Sequence, residues 1–189
     1  MYQSVLYALL RIETLFFPVV VRYLSPRKED RILEIGCNRG RLVQKVQQLA
    51  PQTYGVDLNK KAIDSGVTLR LQAMDATKLD FPDVSFDKVY SVHTIEHIPD
   101  LKKALGEMAR VLKSGGRLLL VYPAEPIRGL FAIPSAFLLG SNPRQIHVHK
   151  LSPRKVISEF LGATGLRHVE SKYMFFPFPP QYLTVLEKE

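Results

Sequence analysis

From Arg31 onward the chain alternates strand-like and helix-like runs, and this alternation restricts its fold more than any other feature. "RILEIG" reads as a strand and "RLVQKVQQLA" as a helix stopped by Pro51. "TYGVD" is a short strand, and "NKKAIDSG" a helix that starts after Asn59 and ends at Gly66. "VTLRLQAMD" and "FDKVYSV" read as further strands, the second entered from the "FPDVS" turn. "DLKKALGEMARVLKSGG" carries apolar residues at Leu101, Leu105, Met108 and Leu112, which predicts a helix closed by its glycine pair. "RLLLVYP" is a near-continuous apolar strand of the kind buried on both faces. "SPRKVISEFLGATG" opens as a helix, with Ser152 as cap and Pro153 at the first helical position. "LRHVESKYM" and "QYLTVLEKE" then close the chain as a pair of strands. Such alternation predicts an open α/β fold: a mainly parallel sheet with helices on both faces. In sheets of that kind, ligands bind beyond the carboxyl ends of the strands. Glu34 to Gly40, Asp57, Asp75 and Ser91 to His97 are therefore expected to converge on one cleft.

A chain of 189 residues is enough for one domain with a full core. Hydrophobic residues make up 46% and charged residues 23%, which excludes a disordered polymer. The formal net charge of +8 favours anionic surroundings: nucleic acid, a lipid headgroup surface or an acidic ligand. The one cysteine, Cys37, allows no intrachain disulfide and fits a reducing, cytoplasmic compartment. No cysteine–histidine cluster has zinc-ligand spacing, so no metal is expected.

Residues 1–28 read as an amphipathic helical arm ahead of a domain over 29–189. Val5, Leu9, Ile12 and Phe16 recur at helical spacing, with Gln3, Tyr7 and Arg11 elsewhere on the wheel. Arg11, Glu13 and Arg22 interrupt the apolar run, so it is not a clean membrane span, and charge does not precede apolar residues as in a secretory signal. The helix then meets Pro18, where a helix normally ends or kinks. Two readings stand. The arm packs on the domain or lids its site, or "LFFPVVV" touches a membrane or an apolar substrate, which would place the protein at the membrane periphery.

The stretch "RILEIGCNRG" sharpens the search. Glycines after a first strand let the backbone approach a ligand and turn tightly into a helix. The run from Gly36 to Gly40 breaks the G-x-G-x-x-G pattern of dinucleotide folds, and Glu34 would repel a phosphate. A carboxylate at a strand end suits a ligand with positive charge or donor groups.

"LEIGCNRG" followed by "YGVDLN" resembles the first two motifs of class I S-adenosylmethionine-dependent methyltransferases, in the small-molecule branch that acts on quinones and lipids. The family's first motif is acid-x-Gly-x-Gly-x-Gly, and Asn38 stands here at the middle glycine. The resemblance covers about residues 30–125 well, and the last two strands by their order. It implies a Rossmann-like, doubly wound, seven-stranded sheet whose last strand is antiparallel, and S-adenosylmethionine as cofactor. By the resemblance, Glu34 organises the loop and reaches the methionine amino group, and Gly36, Cys37, Asn38 and Gly40 border the methionine part. Asp57 would accept from both ribose hydroxyls and Leu58 would lie against the adenine. In "MDAT", Asp75 would accept from the adenine amino group and Ala76 would offer its amide, while Ser91, ending the fourth strand beside them, is a further candidate cofactor contact. Read singly, Asp57 is also a candidate helix cap for "NKKAI", and Asp75 a turn former.

Methyl transfer from a sulfonium asks an enzyme mainly to position and desolvate, with a base only where the acceptor must lose a proton. In "SVHTIEHIPD", His93 is the candidate base just past the strand end, or else a lining residue. Glu96 and His97 match an "EH" pair that more often organises the following loop in relatives, and His97 is also a candidate substrate contact. His147 and His149 in "RQIHVHKLS" alternate onto one face; they border the acceptor pocket or cap the next helix. No acid-Pro-Pro-aromatic run follows the fourth strand, which disfavours methylation of exocyclic amines. Residues 124–150 read as an acceptor-site or lid insertion, with Arg128 and Arg144 flanking an apolar stretch too short to span a membrane. The expected function is methylation of a small apolar acceptor, lipid- or quinone-like. RNA methylation and a non-catalytic cofactor-binding scaffold are the alternatives. The first lacks a basic stripe with interleaved aromatics.

Overall fold

The computed structural model describes residues 12–124, 149, 151–160, 165–175 and 180–189. A 3-10 turn over Ile12–Phe16 leads into helix α1 (Phe17–Leu24). Then follow β1 (Arg31–Ile35), α2 (Arg41–Val46), β2 (Gln52–Asp57), α3 (Lys60–Asp64) and β3 (Leu71–Ala73). The second half runs β4 (Phe86–Val92), α4 (Leu101–Val111), β5 (Leu112–Pro123), α5 (Pro153–Phe160), β6 (Leu166–Met174) and β7 (Gln181–Lys188). The strands form one sheet in the order β3–β2–β1–β4–β5–β7–β6. β3, β2, β1, β4 and β5 pair in parallel, and β7 runs antiparallel to both β5 and β6. This is the expected Rossmann-like, doubly wound α/β sheet. The chain builds outward from β1 to β3 and then returns to the other side of β1 as β4. The topological switch point therefore lies between β1 and β4.

Strand alternation divides the core into two layers. Leu33, Ile35, Val89, Leu118 and Leu120 face α4 and α5, where Leu105, Met108 and Val156 are fully buried. Ile32, Tyr90, Leu119, Val121, Leu183 and Val185 face α2 and α1. Phe16, Val20 and Leu24 seal this second layer at 1% exposure or less, so residues 16–24 complete the domain core. Pro18 does not end a helix here: it sits in the first turn of α1, where its missing N–H is not needed. The helix stops instead at Ser25, in left-handed conformation, just before Pro26. Lys88 of β4 clamps the connection by donating to the Ser25 carbonyl at 2.9 Å and by pairing with the buried Asp30 carboxylate. Leu24→Ala should cost about 2–5 kcal/mol, the usual range for emptying a sealed core site. A urea titration with an unchanged slope would read that loss, and a change within error would show the arm to be dispensable to the core.

Two other element boundaries differ from the sequence reading. β3 pairs for three residues only, alongside Gly55–Asp57, because an edge strand has a partner on one side and Leu69 before it is fully exposed. The helix of residues 101–111 ends before the glycine pair. Leu112 already pairs with Phe86, and Gly115 and Gly116 lie inside β5. Ser152 caps α5 as expected, accepting from the Lys155 amide at 3.3 Å. Among the described residues no helix is long and apolar enough to cross a membrane.

Candidate active site

Four loops meet at the carboxyl edge of β1 to β4. The first turns immediately. The amides of Gly36 and Cys37 both donate to the Val56 carbonyl at 2.8 and 3.0 Å, folding the loop over the end of β2. Gly36 has φ +79°, and a Cβ there would stand 2.0 Å from Thr94 Oγ1, so the loop after β4 lies directly on it. Asn38, at the position of the family's middle glycine, has φ +50°. Asparagine is among the few residues that adopt the left-handed region at small cost, so the substitution preserves the turn. Gly40, at φ +74°, precedes α2.

Glu34 lies inside β1 because Tyr90 of β4 meets it: the phenol donates to Glu34 Oε2 at 2.9 Å, both residues being buried. Burial raises the Tyr90 hydroxyl well above its ordinary pKa and the adjacent Glu34 carboxylate adds to this, so the phenol stays a donor. Tyr90 is invisible to motif reading, since an aromatic in a β-strand signals only core. Cys37 is buried, with its thiol packed toward Gly55, so only its backbone borders the cleft. Ser91 is fully buried and donates to the Ile35 carbonyl at 3.1 Å; its side chain ties β4 to β1 instead of opening to a ligand.

Asp57 organises the next two loops. Its Oδ2 accepts from the Asn38 amide at 2.7 Å and its Oδ1 from the Asn59 amide at 2.8 Å. It is not the helix cap: Asn59 caps α3, its side chain accepting from the Ala62 amide. Leu58, just after β2, is 76% exposed and presents an apolar surface. Asp75 forms the turn that one reading expected. Oδ1 accepts from the amide and hydroxyl of Thr77 at 2.8 and 2.9 Å, and these bonds hold its carboxyl below the ordinary value. Oδ2 has no partner among the described residues. The Met74 amide donates to the Asp57 carbonyl at 3.1 Å, joining the third loop to the second, and Ala76 is half-buried against the α4 layer.

The fourth loop begins at His93, whose φ of +51° is unusual for a residue other than glycine. Its amide donates to the Val121 carbonyl at 2.9 Å, and its ring meets the edge of Phe16 with centroids 5.3 Å apart. His93 Nδ1 lies 3.5 Å from Oε1 of the buried Glu96, in the 3-10 turn Ile95–His97. His97 is half-exposed, with Nε2 at 3.9 Å from the same oxygen. His149 latches this turn: its amide donates to the Glu96 carbonyl at 3.2 Å, and its Nε2 is 2.9 Å from the Ile98 carbonyl and 3.1 Å from that of Pro99. A carbonyl only accepts, so His149 Nε2 carries the proton. His147 and residues 125–148 of the expected insertion lie outside the described residues.

The family model described as "Methyltransferase domain" matches residues 33–120, from β1 through most of β5. The uncharacterized methyltransferase YcgJ of Bacillus subtilis is 33% identical over a match covering 58% of this chain and 48% of its own. A ubiquinone biosynthesis O-methyltransferase of Rhizobium etli is 28% identical, over 80% of this chain and 65% of its own. The chain thus spans about half the length of the first of these curated relatives. The crystal structure of YcgJ superimposes with a TM-score of 0.71 at 20% identity, covering 92% of this chain and 98% of that one, which is a likeness of fold.

Proposed function

We propose that the chain is a class I S-adenosylmethionine-dependent methyltransferase and that it methylates a small apolar acceptor of lipid or quinone type. The observation that carries the reading is the way three carboxylates at three successive strand ends are set. Glu34 is buried under the first loop. Asp57 spends one acceptor site per oxygen on loop amides and keeps the other for a ribose hydroxyl. Asp75 keeps Oδ2 for an amino group, and Leu58 offers a flat apolar contact. These residues fit a ligand made of an amino acid, a ribose and an adenine, with the loop of Gly36, Cys37, Asn38 and Gly40 along the methionine part. When bound, S-adenosylmethionine supplies an electrophilic methyl group. Glu34, Asp57 and Asp75 orient it, and the loop from His93 to His97 stands at the switch point where an acceptor would meet it. His97 and His149 then border the acceptor side. The quinone class is supported by the name of the Rhizobium relative and by the missing acid-Pro-Pro-aromatic run after β4.

The test uses S-adenosylmethionine labelled on its methyl group, incubated with the purified protein and an extract of its source cells. Label is expected in the organic phase. Label in RNA or protein would overturn the apolar-acceptor reading. Cofactor binding without label in any fraction would leave a cofactor-binding scaffold.

A further inference from the structure

Glu96 is the most heavily buried acid of the cleft, at 1% exposure, and among the described residues neither of its carboxylate oxygens has a formed hydrogen bond. A carboxylate in such a place is costly unless a charge or donor compensates it. Among the described residues, the charged groups that face it are His93 Nδ1 at 3.5 Å and His97 Nε2 at 3.9 Å, both on the Oε1 side. The first is too long for a formed hydrogen bond and short by the standard of a charge contact, so a shift of about half an ångström closes it. Burial pushes the Glu96 carboxyl up, but the His93 imidazole first, then the backbone amide of Glu96 and the His97 imidazole, outweigh this and hold it below its ordinary value. His97 is half-exposed. The His93 ring is only 18% exposed and has few ways to turn: Phe16 meets it from the side and its backbone is bonded to β5 in a strained conformation. The next residue, Thr94, lies on Gly36 of the first loop. The imidazole is thereby held beside the loop that borders the methyl donor.

We propose that Glu96 is a positioning residue that holds His93 through Nδ1–H, leaving Nε2 as the general base for an acceptor that gives up a proton, a phenol- or enol-type hydroxyl. The inference rests on the methyltransferase reading above. In the step it describes, the acceptor O–H bond breaks and its proton goes to His93 Nε2. The freed pair forms the oxygen–carbon bond to the methyl group, and the departing carbon–sulfur pair stays on sulfur. The positive charge ends on the imidazole, facing the Glu96 carboxylate. This is the logic of a buried acid that fixes the tautomer of a catalytic histidine.

The experiment compares wild type, His93→Ala, Glu96→Ala and Glu96→Gln, each saturated with S-adenosylhomocysteine. Nitrogen-15 ring shifts report which nitrogen of His93 is protonated. Wild type should show a protonated Nδ1 and a bare Nε2. Glu96→Gln, which keeps an acceptor in place, should retain that tautomer, and Glu96→Ala should mix the two. Transfer of labelled methyl into the organic fraction should fall at least ~100-fold in His93→Ala and Glu96→Ala, the usual contribution of a general base. S-adenosylhomocysteine affinity should stay within about threefold, because neither residue binds it. A wild-type His93 with bare Nδ1 would overturn the proposal. So would unchanged transfer in His93→Ala, or transfer and cofactor affinity falling together in Glu96→Ala and Glu96→Gln. Expected tautomers with no transfer by wild type would overturn the methyltransferase reading, and the base role with it, leaving the pairing alone.

Discussion

Gly36→Ala should weaken S-adenosylhomocysteine binding by more than ~100-fold while leaving a folded protein. An alanine at φ +79° pays about 1–2 kcal/mol in backbone strain. The larger penalty is steric. The new Cβ would lie 2.0 Å from Thr94 Oγ1, 2.4 Å from Cγ2 and 2.6 Å from Cβ. Rotating the threonine cannot clear a clash that includes its own Cβ, so one of the two loops must move. Moving the β1 loop pulls the Gly36 and Cys37 amides from Val56; moving the β4 loop displaces His93 and Glu96. Either motion opens the cleft at the switch point. A loss of about 3 kcal/mol in binding, or more than ~100-fold, is expected by calorimetry. Gly106→Ala is the control: α4 is helical there and nothing lies within 4 Å, so stability should rise by about 0.5–1 kcal/mol with binding unchanged. Wild-type affinity in Gly36→Ala would mean that the loop is not a ligand cradle.

The strand ends were readable from sequence because carboxylates and glycines stand out against apolar runs. Glu34, Asp57 and Asp75 do come to one edge, and Gly36 does turn the chain there. What the sequence hid were the partners. Tyr90, which meets Glu34, and Thr94, which covers Gly36, belong to a strand and loop more than fifty residues away, and no local pattern marks them. Phe16 looked like one more apolar position of an amphipathic arm, yet it closes on His93. Pro18 departs from expectation for a physical reason: proline breaks a helix interior but starts a helix well, and sequence alone does not fix which of the two lies there. At Ser91 alternation turns the hydroxyl inward to the Ile35 carbonyl, and in the loop after β1 the Cys37 side chain is buried as well, an orientation that position at a strand end does not reveal.

Asp57→Ala should weaken S-adenosylhomocysteine binding by about 100-fold or more, and the cause can be separated from simple loop disorder. The carboxylate does two things at once. It holds the Asn38 and Asn59 amides at 2.7 and 2.8 Å, and in the proposed reading the remaining acceptor site on each oxygen takes a ribose hydroxyl. Hydrogen bonds to a charged group are worth about 1.5–3 kcal/mol each, so losing the two ribose contacts alone reaches the expected factor. A cofactor analogue without ribose hydroxyls isolates this part. It should bind wild type about as weakly as the intact cofactor product binds Asp57→Ala, and the mutation should cost it far less. Asp57→Asn should fall between, since an amide oxygen still accepts from one loop while its NH2 faces the other loop's N–H. If Asp57→Ala weakened the analogue and S-adenosylhomocysteine equally, the residue would be a loop organiser and the ribose would lie elsewhere. If it weakened neither, the cofactor would not lie along this edge of the sheet at all.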